Sequence, residues 1–427
     1  MTNGGTARRA PRMRVMTEGA TVTPLELFFD LVFVYALTQV TALMAANLTW
    51  WGMLHGLLVL ALLWWCWCCY AWLGNTVRAD EGVVRVALFA VMATMFVVAV
   101  TIPEAFNDLR GGLSGPVVFA SGYLVVRVLH LVIYWHAARG DTGLRRQLLR
   151  ASLPMLGGAT LLFTAALLPQ RLTDTPNGED TLRTALWGLA LAIDYGGIMA
   201  IGAAGWRIFS AAHWTERHGL IIIVALGESL VAIGVGVTAL PISWPIVVAS
   251  FLGIAVAAAL WWAYFDVVSI AAERVLHRAE GAERAALGRD SYTYLHLPMV
   301  AGIVLLALGL KKVLAYVGDG THHSLTDPLH GLGLLALYGG VISYLLGHLG
   351  FRLRNMGSVN WPRAVATVLL VLLVPVADRL PALAALGLLA LVCVGMITVE
   401  VVLFGEARRR LRDSFLDEHG AGQAPGH

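Results

Sequence analysis

Glu26 to Thr38 reads ELFFDLVFVYALT, an apolar run entered through two carboxylates four residues apart, Glu26 and Asp30. At 3.6 residues per turn the two share one helix face. A charged side chain inside a membrane helix costs about 2.5–3.5 kcal/mol on insertion scales, so it calls for a partner or a task. Glu26 stands at the helix mouth, within reach of water. Asp30 lies one turn deeper among Phe28, Phe29, Leu31 and Val32. Its expected role is to exchange a proton or a cation, the alternative being a hydrogen-bonded tie between helices. A second stretch, Glu216 to Ile233, ERHGLIIIVALGESLVAI, partly echoes the first.

The rest of the chain has the same character. Of 427 residues, 58% are hydrophobic and only 13% charged, with mean hydropathy +0.73. Soluble domains carry about 25% charged residues, so the composition predicts an all-α polytopic bundle whose first partner is the lipid bilayer. Twelve segments are long and apolar enough to span it, and Asp378, Arg379 and Pro381 alone divide the last two, leaving ten or eleven open. The net charge of +3 arises from basic residues beside apolar spans, which argues against nucleic acid as a partner. Counted over twelve spans, 23 of the 30 Lys and Arg residues fall on one side, six on the other, and Arg127 within a span. That bias predicts cytoplasmic N- and C-termini.

The echo between the two stretches suggests a duplication. A tryptophan pair follows each, Trp64-Trp65 and Trp261-Trp262. The expected layout is a disordered basic tail over 1–20, six-helix repeats over 21–205 and 206–405, and a C-terminal tail over 406–427. Six spans between the copies make the repeats parallel, related about an axis along the membrane normal.

Depth sorts the polar residues. Asp194, Glu228 and Arg127 fall near the middle of their spans, and the expectation is that Arg127 pairs with Asp194 or Glu228, leaving one carboxylate without a cation. With Glu26 and Asp30 these carboxylates are the candidate proton- or ion-binding groups. Asp266, His296 and Glu400 lie near span ends and form a candidate secondary vestibule that would draw cations. No spacing builds a metal site: Cys66, Cys68 and Cys69 crowd one apolar segment, and His322 and His323 sit in a loop that reads as solvated. There is no phosphate loop, nucleophile elbow or zinc-protease motif, so no catalytic residue and no cofactor is expected.

PLELFFDLVFVYALTQ (Pro24 to Gln39) together with ERHGLIIIVALGESLVAIG (Glu216 to Gly234) resembles the low temperature requirement protein A family, over nearly the whole chain in length and hydropathy. The resemblance implies a bacterial integral membrane protein, hence the cell membrane, and supplies no reaction, substrate or catalytic residue. A local pattern of about 13 residues, Glu26, Phe28, Asp30, Val32, Phe33 and Thr38, is similar to the first-helix signature of the endolysosomal potassium channels marked by Phe-Ser-Asp. Here Phe29 replaces the serine, and the second repeat lacks the Phe-x-Asp. Three functions follow as expectations: a transporter of unknown substrate coupled to protons or cations through buried carboxylates, a cation channel formed by a homodimer, or a membrane-embedded enzyme or scaffold in envelope and cold adaptation.

Overall fold

The structure, a computed structural model, describes residues 16–420 except 79–81, 110, 204 and 239, with backbone alone over 407–420. Among these residues the chain forms fifteen α-helices. The first half holds α1 (Pro24–Ala46), α2 (Trp50–Gly74), α3 (Gly82–Val100), α4 (Gly115–Ala137), α5 (Thr142–Leu167), the single turn α6 (Pro169–Leu172) and α7 (Pro176–Ile201). The second holds α8 (Ala211–Gly236), α9 (Trp244–Phe265), α10 (Val268–Arg278), α11 (Gly281–Leu287), α12 (His296–Gly318), α13 (Leu332–Met356), α14 (Trp361–Ala377) and α15 (Ala382–Gly420). A π-helical turn, Gly288–Tyr294, leads into α12. Eleven helical stretches are long and apolar enough to cross a membrane, and α14, at 17 residues, is a shorter apolar twelfth.

Sequence explains the helix starts. The hydroxyl of Thr23 accepts from the Glu26 N–H while the Glu26 carboxylate accepts from the Thr23 N–H, a reciprocal cap that opens α1. Thr49, Asp141, Thr175, Ser210 and Asn360 cap α2, α5, α7, α8 and α14 through their side chains. Large apolar side chains such as Leu31, Phe89, Leu153, Phe251 and Leu372 remain exposed on the bundle surface, the face that lipid covers.

Helices α2 and α12 are the most enclosed spans. Helix α12 packs on α13 with backbones in near contact: a Cβ built on Gly302 would lie 2.4 Å from the Gly340 carbonyl oxygen, and one on Gly340 would lie 2.5 Å from the Leu306 nitrogen. Association in hydrocarbon relies on such close packing of small residues. The neighbouring Gly339 meets nothing within 4 Å, nor does Gly227, and α8 runs through Gly227 without a break.

One boundary differs from the sequence expectation. Residues 16–20, assigned to a disordered tail, are tied down: Met16 is buried, its N–H donates to the Thr76 carbonyl at 3.2 Å, and Glu18 accepts from Ala211 N–H and Arg284, both at 3.0 Å. Residues 1–15 lie outside the described ones. Helix α15 continues through Gly420, so most of the segment assigned as a C-terminal tail is helical, and 421–427 lie outside.

Candidate functional site

The two stretches that opened the sequence reading meet along α1 and α8. Asn75 donates to His213 Nδ1 at 3.3 Å, which leaves the proton on Nε2 to donate to Glu26 Oε1 at 3.0 Å. One turn on, Arg217 Nη1 donates to Asp30 Oδ2 at 2.8 Å and to the Glu26 carbonyl at 3.0 Å. The indole N–H of Trp67 donates to Asp30 Oδ1 at 2.9 Å, and the Arg217 guanidinium lies 5.4 Å from the Trp67 ring centroid. Farther along, the Thr38 hydroxyl donates to Glu228 Oε2 at 2.5 Å. Glu26, Asp30 and Thr38 thus meet His213, Arg217 and Glu228 in the same chain order. That order makes α1 and α8 parallel and strings three polar rungs along about 18 Å of helix.

Each rung is shut off from solvent. Asp30 and Arg217 are each 2% exposed, His213 is fully buried, and Glu228 is 1% exposed. A buried ion pair is stable only when its remaining hydrogen-bonding capacity is filled. Asp30 meets that condition through Arg217 and Trp67, whereas the buried Nε of Arg217 has no partner among the described residues. Glu228 differs: among the described residues no cation pairs with it, and Lys311 acts on it only through space.

Residues 21–399, which contain all three rungs, match the family described as Bacterial low temperature requirement A protein (LtrA). The chain belongs to that family. Among proteins similar to this LtrA chain is an uncharacterized protein from Rhizobium meliloti (strain 1021), 29% identical over 337 residues, 75% of each chain. No solved structure matches it.

The other candidates in this LtrA chain fall into separate places. Arg127 Nη2 lies 3.0 Å from Asp194 Oδ1, the Tyr123 hydroxyl donates to Asp194 Oδ2 at 2.9 Å, and Arg127 Nη1 reaches Cys69 Sγ at 2.7 Å. Glu400 is held by Arg363 through Nε at 2.6 Å and Nη2 at 2.8 Å, and by Asn360 at 2.9 Å. Asp266 lines one cavity with Glu400 and Arg363, but His296 does not. His296 is fully buried among aromatic rings, bonded to the Tyr264 hydroxyl at 2.9 Å and the Ser291 carbonyl at 3.0 Å. The single acidic vestibule expected from Asp266, His296 and Glu400 is therefore corrected: the pocket holding Asp266 and Glu400 contains two guanidinium groups, Arg352 and Arg363, and excludes the histidine.

Three arginines counted at the two membrane sides are also interior. Arg217 sits in α8, Arg363 opens α14 at 4% exposure, and Arg183 of α7, 2% exposed, donates to the carbonyls of Ala165 and Phe106 and to Glu179. The missed residues His213 and Arg217 did carry a signal. They are four apart, the spacing of Glu26 and Asp30, so two donors on one helix face match two acceptors on another. Outside the spans, His322 Nδ1 lies 2.8 Å from Asp319 in the exposed loop after α12. Hydrogen bonds from Thr321 and His322 hold the Asp319 carboxyl down at about 2. Among the described residues no group of three His, Cys, Asp or Glu side chains could hold a metal ion.

Proposed function

We propose that the protein is a multi-pass membrane carrier whose coupling group is Glu228, loaded and unloaded with a proton or a small cation. One observation supports this: of the five buried carboxylates among the described residues, Glu26, Asp30, Asp194 and Glu400 each have a cationic or histidine partner, and Glu228 has only threonine hydroxyls. A carboxylate so placed in hydrocarbon needs a positive charge, and a transport cycle can bring and remove one. Parallel α1 and α8 also fit two six-helix halves over 21–205 and 206–405, and transporter sites commonly lie at the junction of such halves. The carrier is preferred to the channel because Asp30, the acidic residue of the channel-like signature, is locked to Arg217, while Phe28 faces outward at 52% exposure.

The test uses purified protein in liposomes under a potassium diffusion potential, with a pH-sensitive dye inside. Wild-type protein is expected to pass protons above the level of empty liposomes, and Glu228→Gln to lower that flux at least about tenfold with unchanged folded yield. Equal flux in Glu228→Gln protein removes Glu228 from the cycle, and absence of wild-type flux removes the proton.

The arginine bias supports cytoplasmic termini in the bacterial cell membrane. Alkaline phosphatase fused after Gly140 or Gly281 is expected to be inactive, and after Asp319 active. Activity at Gly140 would overturn this orientation.

A further inference from the structure

The first half encloses a cavity that the α1–α8 rungs do not use. It lies among α2, α4, α5 and α7, is closed on one side by α11 and the π-helical turn, and holds about 670 Å³ of empty space with its mouth included. Trp65, Trp72 and Trp206 supply aromatic walls, and Leu148 and Met155 an apolar one.

Three nitrogens on residues lining this cavity, Trp65 Nε1, Arg127 Nε and His130 Nε2, have no hydrogen-bond partner among the described residues. Their side chains belong to residues only 4%, 3% and 6% exposed. Indole and guanidinium N–H groups can only donate, and a buried donor left unmade costs about 1–3 kcal/mol. The contrast within α2 is informative. Trp64, Trp67 and Trp72 all place their indole N–H on an acceptor, and Trp65 does not.

Aromatic walls alone would suit a cation. Two guanidinium groups in the lining oppose that: Arg127 is neutralised by Asp194, while Arg289 shares the single carboxylate of Asp290 with Arg354, which leaves positive charge in excess. We propose that this cavity binds a small aromatic carboxylate, its ring among the tryptophans and its oxygens accepting from Trp65 Nε1 and Arg127 Nε. This site does not rest on the role assigned to Glu228.

Titration calorimetry of the purified full chain with indole-3-carboxylate tests it, with choline as the cationic counterpart. Saturable binding of the carboxylate and none of choline is expected. Trp65→Phe removes the unpaired N–H together with part of the aromatic wall and should weaken binding at least about tenfold, a difference of about 1.4 kcal/mol. Ala151→Leu fills the wall and should abolish it. In the wild-type protein, independent of any variant's folding, the carboxylate should slow alkylation of Cys69, which lines the cavity and is the least buried of the four cysteines. No saturable carboxylate binding, binding of choline in its place, an unaltered affinity in Trp65→Phe, or unprotected Cys69 would each overturn the proposal.

Discussion

Arg217→Met is expected to remove most of the folded protein. The substitution leaves Asp30, 2% exposed, with the Trp67 indole as its remaining donor, and takes a hydrogen bond from the Glu26 carbonyl. Breaking a buried pair from one side costs about 3–5 kcal/mol, because the surviving charge stays in the interior without compensation. Adding Asp30→Asn should restore part of the yield, since the amide keeps the size and can still accept from Trp67. Monodisperse protein on gel filtration and its thermal midpoint in detergent report both effects. A single Arg217→Met protein as stable as wild type would show that the rung carries no structural weight. Asp30→Asn alone should be destabilised too, which separates a structural tie from the exchange role first considered for this residue.

Two adjacent glycines should respond in opposite ways. Gly340→Leu is expected to prevent folding. Its Cβ alone would fall 2.5 Å from the Leu306 nitrogen and 2.6 Å from the Gly302 carbonyl oxygen, and backbone cannot swing aside as a side chain can. Even one added methylene in a packed interior costs about 1–3 kcal/mol, and here α12 and α13 must separate along their length. Gly339→Ala meets open space and should be neutral or stabilising by up to about 1 kcal/mol, the helix-propensity gain of alanine over glycine. The same thermal midpoint decides, and a destabilised Gly339→Ala beside a tolerated Gly340→Leu would reverse the assigned faces.

Hydrophobic content and length made the helical membrane bundle legible in the sequence, because apolar runs of about 20 residues have few other uses. The interior polarity was only half legible. Glu26, Asp30, Asp194 and Glu228 declare themselves by lying in apolar runs, but the donors that answer Glu26 and Asp30 do not, whereas Arg127, which answers Asp194, does. His213 and Arg217 belong to the polar stretch AAHWTERHG, which reads as a helix approach in solvent until Ser210 is seen to cap a helix that starts at Ala211. Arg363 is hidden in the same way by Asn360 and Pro362 ahead of it. The tryptophan pairs likewise looked equivalent, yet Trp64 and Trp65 are buried while Trp261 and Trp262 are 45% and 39% exposed. Sequence spacing records which residues share a face and leaves open what that face meets.

The rungs between α1 and α8 also set an order of events during synthesis. The carboxylates of Glu26 and Asp30 precede the side chains that answer them by 187 residues each. At about 5–20 residues per second, a ribosome needs about 10–40 s to make that length. Throughout this interval α1 holds two acidic groups and neither hydrogen-bonding partner on α8, so it cannot complete its seating when it first leaves the translocation machinery. Their place in the first two turns lets α1 wait with that end in the hydrated headgroup layer, and the arrival of α8 would then draw the nascent first half shut around it.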